Sequence, residues 1–183
     1  ADGAALVSAA ARLGIGMLDT AQAYGTSEQV LGGLLKPAGA PSFEVISKIA
    51  PSVDCTNADD VLAAARESVS RIGKPLYGLM YHDPAAIHHW MSGAAEGLTR
   101  ARDEGLCGRI GVSIYTPEEM ALAASHQDID ILQAPFNMLD RRLEQTGVAD
   151  AAIKRGCEMH FRSLFLQGLL LGEPGTLPER LAF

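Results

Sequence analysis

Residues Gly14–Gly33 read GIGMLDTAQAYGTSEQVLGG, and the reading of this stretch decides the fold. A short apolar run ends in an acid, Asp19, and a phenol, Tyr24, follows five residues later, just before a turn at Gly25–Ser27. A helix is expected over Ser27–Leu35, with Ser27 and Glu28 placed to cap its N-terminus and Val30, Leu31, Leu34 and Leu35 on one side. An acid and a phenol where a strand gives way to a loop stand where α/β folds place chemistry. On residue type alone, Asp19 also reads as an ordinary turn acid and Tyr24 as a rim aromatic.

Outward from this stretch, the chain alternates. An alanine-rich helix over Ala4–Leu13 precedes the strand Met17–Thr20, and further strands are expected at Phe43–Ile49, Leu76–Tyr81, Ile110–Ser113, Ile129–Ala134 and Met159–Phe165. Helices are expected between them: Asn57–Ile72, capped by Thr56 or Asn57 and ended by Gly73; one through Ile87–Glu104; one opened by the capping box of Thr116–Glu119; and Leu143–Arg155. Strand ends recur at Asp19, Lys48, His82, Ser113, Gln133 and Ser163, the pulse of a parallel α/β architecture. That pulse alone leaves an open sheet and a barrel both available, although no G-x-G-x-x-G follows any strand, which speaks against a dinucleotide-binding open sheet.

With 183 residues, 48% of them hydrophobic and 20% charged, the chain suits a single domain over residues 1–183. A formal charge of -7 and scattered basic residues argue against a nucleic-acid partner. No apolar run reaches the roughly 18 to 20 residues of a membrane span, and the opening ADGAALVSAAARLG lacks a signal-peptide pattern, so a cytoplasmic location is expected. Three separated cysteines, Cys55, Cys107 and Cys157, suit free thiols, and no ligand spacing points to a metal. The pair His88 and His89 beside Trp90 reads as surface and packing residues.

The Gly14–Gly33 stretch resembles the signature of the aldo-keto reductases, G-(I/V)-x-x-(F/L)-D-T-A-x-x-Y-G-x-S-E-x-x-L-G. The likeness continues in register through VISK at Val45–Lys48, YHDP at Tyr81–Pro84, GRIGVSIYTPEEM at Gly108–Met120, LQAPFNMLDRR at Leu132–Arg142 and RSLFLQGLLLG at Arg162–Gly172. It implies a parallel (β/α)8 TIM barrel, represented here by about six of its eight strands. The match opens at the family's first barrel helix and stops soon after its seventh strand, so a longer parent chain is expected. The tail LGEPGTLPERLAF, at 171–183, resembles a segment that covers the cofactor in family members.

The resemblance further implies reduction of an aldehyde or ketone with NADPH, or NADH, as hydride donor. Four residues carry over onto matching motif positions: Tyr24 as proton donor, Asp19 and Lys48 as the pair that tunes it, and His82 as the group that orients the substrate oxygen. A phenol titrates near pH 10, so Lys48 is expected to favour the phenolate and Asp19 to keep Lys48 charged. Cofactor contacts are implied for Ser113 and Gln133 at the nicotinamide carboxamide, with Asn137 nearby. Arg162 falls where many members stack an aromatic ring on the nicotinamide, and Ser163, Phe165 and Gln167 fall on the pyrophosphate side. A catalytically silent cofactor-binding or interaction module is the competing expectation. An aldolase or isomerase using Lys48 as a Schiff base is disfavoured by Asp19 beside it. Neither the carbonyl substrate nor the oligomeric state is legible, and the segment that would read the adenosine phosphate lies beyond residue 183.

Overall fold

The computed structural model describes residues 3–37 and 39–173. The expected cofactor-covering segment, from residue 174 onward, lies outside them. Helix α1 (Gly3–Arg12) leads to strand β1 (Met17–Asp19), followed by α2 (Ser27–Leu35), β2 (Glu44–Ile49), α3 (Ala58–Ile72) and β3 (Leu76–Tyr81). A 3-10 segment over Pro84–Ser92 precedes α4 (Ala94–Asp103), β4 (Cys107–Ser113), α5 (Pro117–Ser125) and β5 (Ile131–Pro135). Two short helices, α6 (Arg142–Gln145) and α7 (Val148–Lys154), then lead to β6 (Glu158–Arg162), and a kinked 3-10 segment follows at Leu166–Leu171.

All six strands are parallel, and they lie in the sheet in the order in which they occur in the chain. A doubly wound sheet must reverse its order at some point; this one never does. Crossovers between parallel strands are right-handed almost without exception, and in a sheet wound in chain order they put the helices on one side. The sheet also curls. The Gln133 side chain of β5 reaches Asp19 of β1 at 3.0 Å across three intervening strands, which a flat sheet could not allow.

Side-chain alternation divides the sheet into two faces. On the convex face, Val45, Ile49, Leu79, Val112 and Leu132 pack under the helices with Leu62, Trp90 and Leu98. The concave face holds a small apolar layer of Ile46, Met80 and Ile131, and above it Lys48 points inward from β2. Asn57 caps α3 by accepting from the Asp59 and Asp60 amides, Gly73 ends it in the left-handed region, and Thr116 and Glu119 form the expected capping box.

Several local expectations are corrected. Ser27 and Glu28 do not cap α2: its N-cap is Thr26, the Ser27 hydroxyl meets that of Thr20 at 2.8 Å, and Glu28 turns into the protein. Val30 is exposed, because α2 buries the Glu28–Gly32 face instead. The expected helix through Ile87–Glu104 is broken at Gly93, whose φ of 140° and close approach to the Thr56 carbonyl no other residue would allow. The expected helix Leu143–Arg155 is likewise divided at Gly147, φ 71°. Strand β6 stops at Arg162, short of Phe165, because Ser163 turns the chain away at φ 63°.

Candidate active site

The carboxyl ends of β1, β2 and β3, with the turn after β1, bring Asp19, Tyr24, Lys48 and His82 together. Lys48 is fully buried, and burial of an ammonium demands that its three donors be used. They are: its Nζ donates to both Asp19 carboxylate oxygens, each at 2.7 Å, and to the Thr20 carbonyl at 3.0 Å. Burial lowers the Lys48 pKa, the Asp19 carboxylate opposes that shift, and the Arg162 guanidinium adds to it.

Tyr24 projects back over this pair. Its ring centroid lies 5.4 Å from Lys48 Nζ and 5.5 Å from the His82 ring, edge to face. The phenol pKa is raised by burial first and by the Asp19 charge second, with Arg162 opposing. The expectation that Lys48 pulls Tyr24 toward phenolate is thereby corrected. The Lys48 charge is clasped by both oxygens of Asp19, so the pair offers the phenol little net cation.

His82 follows β3, its amide donating to the Ile49 carbonyl at 3.2 Å. Burial, Lys48 and Arg162 all lower its pKa, so the imidazole is neutral at pH 7. Its Nδ1 is sealed from solvent without a partner. An unpaired lone pair is a smaller loss than a buried unpaired N–H, which places the proton on Nε2.

Around these four, Ser113 and Gln133 are buried neighbours in the β4–β5 register. Gln133 Nε2 donates to Asp19 Oδ1, and that bond fixes the amide so that Oε1 faces away, buried and unpartnered. The Arg162 guanidinium lies 4.2 Å over the Tyr115 ring, a partner that residue patterns gave no signal for. Asn137 is committed elsewhere: its Oδ1 accepts from the Leu139 and Asp140 amides and holds its own loop. Phe165 is half-exposed and lines a cleft of about 690 Å3 with Phe136, Met138, Arg141, Glu144 and Leu164. Ser163 and Gln167 lie on the same turn-rich stretch, both with positive φ, and no hydrogen bond ties their side chains to the four central residues.

A singly wound parallel α/β sheet, curled and carrying a polar cluster at the carboxyl edge of its strands, defines the class of (β/α) barrel proteins whose sites lie at that edge. Within that class the chain belongs to the Aldo/keto reductase family, whose sequence profile matches residues 1–178. An aldo-keto reductase of Mycobacterium ulcerans is 37% identical over 122 residues, which cover 63% of this chain and 41% of that relative. Among solved structures, the holo form of an aldo-keto reductase from Bacillus halodurans superposes with a TM-score of 0.80 at 21% identity, covering 96% of this chain and 61% of that one. Another aldo-keto reductase, solved in complex with NADPH, superposes at 0.70 and 20% identity, over 87% of this chain and 52% of its own. The chain thus spans about half the length of these relatives. No helix among the described residues is long and apolar enough to cross a membrane.

Proposed function

We propose that this chain carries the proton-transfer half of an NAD(P)H-dependent carbonyl reductase, which converts an aldehyde or ketone to the alcohol with Tyr24 as proton donor. The observation that supports it most is the convergence of Tyr24 with the Asp19–Lys48 pair and a neutral His82 at one strand edge.

The residues fit a nicotinamide. A carboxamide needs an acceptor for its N–H and a donor for its oxygen, and the unpartnered Gln133 Oε1 beside the Ser113 hydroxyl offers that pair. Arg162, stacked on Tyr115 and donating to the Ile114 carbonyl, adds a planar cation near the same edge. When bound, the nicotinamide supplies the hydride. NADPH is the expected donor on family grounds, with NADH as the alternative.

Tyr24 holds its proton across the neutral range because its pKa is raised, so the neutral acid is the form present. It gives that proton from Oη only to a strongly basic oxygen, the developing alkoxide of the substrate. The phenolate left behind is stabilised by the Arg162 cation, which works against the burial and the Asp19 charge that raise the phenol pKa. His82, with its proton on Nε2, donates a hydrogen bond to the same substrate oxygen without placing a fixed charge there.

The test is a titration with NADPH and with NADH, followed by nicotinamide fluorescence, together with a carbonyl-reduction assay of Tyr24→Phe. Retained cofactor binding with turnover reduced by about 10²-fold or more supports the reading. Turnover equal to the wild type in Tyr24→Phe overturns the proton-donor role, and cofactor binding without any wild-type turnover favours a silent module.

A further inference from the structure

Past the end of β1 the main chain leaves the sheet, yet the β1–β2 ladder continues for another step. The Thr20 amide donates to the Ile46 carbonyl at 2.9 Å, and the Gln22 amide donates to the Lys48 carbonyl at 3.1 Å. The next donor along β2's exit, the Ala50 amide, would in a parallel ladder meet a main-chain carbonyl. The chain has already turned, with the Tyr24 amide closing onto the Ala21 carbonyl at 3.0 Å. Instead, Ala50 donates to the side-chain Oε1 of Gln22 at 2.9 Å.

The other end of that amide is also fully used. Gln22 Nε2 donates to the Ala64 carbonyl at 2.8 Å and to the Ser68 hydroxyl at 2.9 Å, both on α3. One side chain therefore ties the turn that carries Tyr24 to the strand exit after Lys48 and to the helix behind it. Tyr24 itself needs such a brace: its side chain is half-exposed, and its contacts with Lys48 and His82 are made by the ring.

We propose that Gln22 is a positioning residue, its amide replacing a missing strand residue so that the turn at Ala21–Tyr24 holds the phenol over Lys48 and against His82. The proposal rests on the reading of Tyr24 as proton donor, and its test has a readout that does not depend on turnover.

Gln22→Met keeps the length of the side chain and removes all three hydrogen bonds. Gln22→Glu keeps an acceptor for the Ala50 amide and for the Ser68 hydroxyl but loses donation to Ala64. The phenol of Tyr24 is followed by ultraviolet difference titration, each protein compared with its own Tyr24→Phe counterpart. In Gln22→Met the Tyr24 titration moves down toward its ordinary value near 10, as the ring leaves its partly buried place beside Asp19. With it, kcat falls by about tenfold or more while the NADPH dissociation constant stays within about twofold, and Gln22→Glu lies between.

A folded Gln22→Met with the wild-type Tyr24 titration overturns the proposal. Should Gln22→Met fail to fold, the same titration of Gln22→Glu decides it, an unchanged midpoint again overturning the role. A wild-type chain with no turnover removes the proton-donor reading alone, and the phenol titration still decides whether Gln22 places Tyr24.

Discussion

At the scale of single residues, Glu28 shows how a carboxylate can be kept inside a protein. It is 1% exposed, accepts from the Ser47 hydroxyl at 2.5 Å and from Arg71 Nη1 at 3.1 Å, and Ser47 is the residue before Lys48. Glu28→Ala leaves both donors unsatisfied and is expected to cost roughly 3 kcal/mol in urea unfolding. Glu67→Ala, which removes the other and exposed carboxylate on Arg71, is expected to change stability by less than about 1 kcal/mol. This buried role was not legible beforehand, because a Ser–Glu pair at the start of a helix is also what a cap looks like. His82 makes a second residue-scale prediction. Its folded pKa lies below the ordinary value of 6.5, so between the two values the unfolded chain binds more protons and stability falls as the pH falls. Thermal midpoints measured from pH 8 down to 5 should therefore drop more for the wild type than for His82→Gln, with the difference opening below pH 6.5.

Between elements, the contact of α2 with α3 depends on one missing methyl group. A Cβ on Gly32 would lie 2.0 Å from the Arg71 carbonyl oxygen, so Gly32→Ala must push the helices apart. In an exposed helix that change would stabilise by about 1 kcal/mol; here it is expected to destabilise by about 1–3 kcal/mol in urea unfolding, and the sign is the test. The strands were the most legible elements, since runs such as VISKI and LYGLMY have the length and apolarity of buried parallel strands. Helix continuity was less so. Apolar spacing runs on through Gly93 and Gly147, and only the packing of Gly93 against Thr56 and the left-handed turn at Gly147 divide what the pattern joins. Among site residues, Asp19 and Tyr24 stood out because a long motif fixes their spacing, and Lys48 and His82 because the VISK and YHDP stretches follow it in register, whereas Gln22 sits in a variable position of the long motif and Tyr115 in a loop. Their partners come from α3 and β6, which no local spacing encodes.

Over the whole molecule, parallel strands were foreshadowed by the recurrence of strand ends, but winding in chain order and curl were not legible in that pulse and were implied only by the resemblance to a barrel family, because both depend on contacts across the sheet. The Gln133–Asp19 bond joins residues 114 positions apart, while every backbone pairing joins one strand to the next in the chain. A chain emerging from the ribosome can therefore add each strand to the edge already formed, domains being generally folded from the N-terminal side during synthesis. The acid of the site is the exception. Asp19 is made early and clasps Lys48 as soon as β2 is in place, but it waits for β5 before Gln133 can brace it from the other side. A nascent chain halted between those two points would own its ion pair and its phenol yet lack the cross-sheet strut that orients the carboxylate, so synthesis itself delays the finished site until most of the sheet exists.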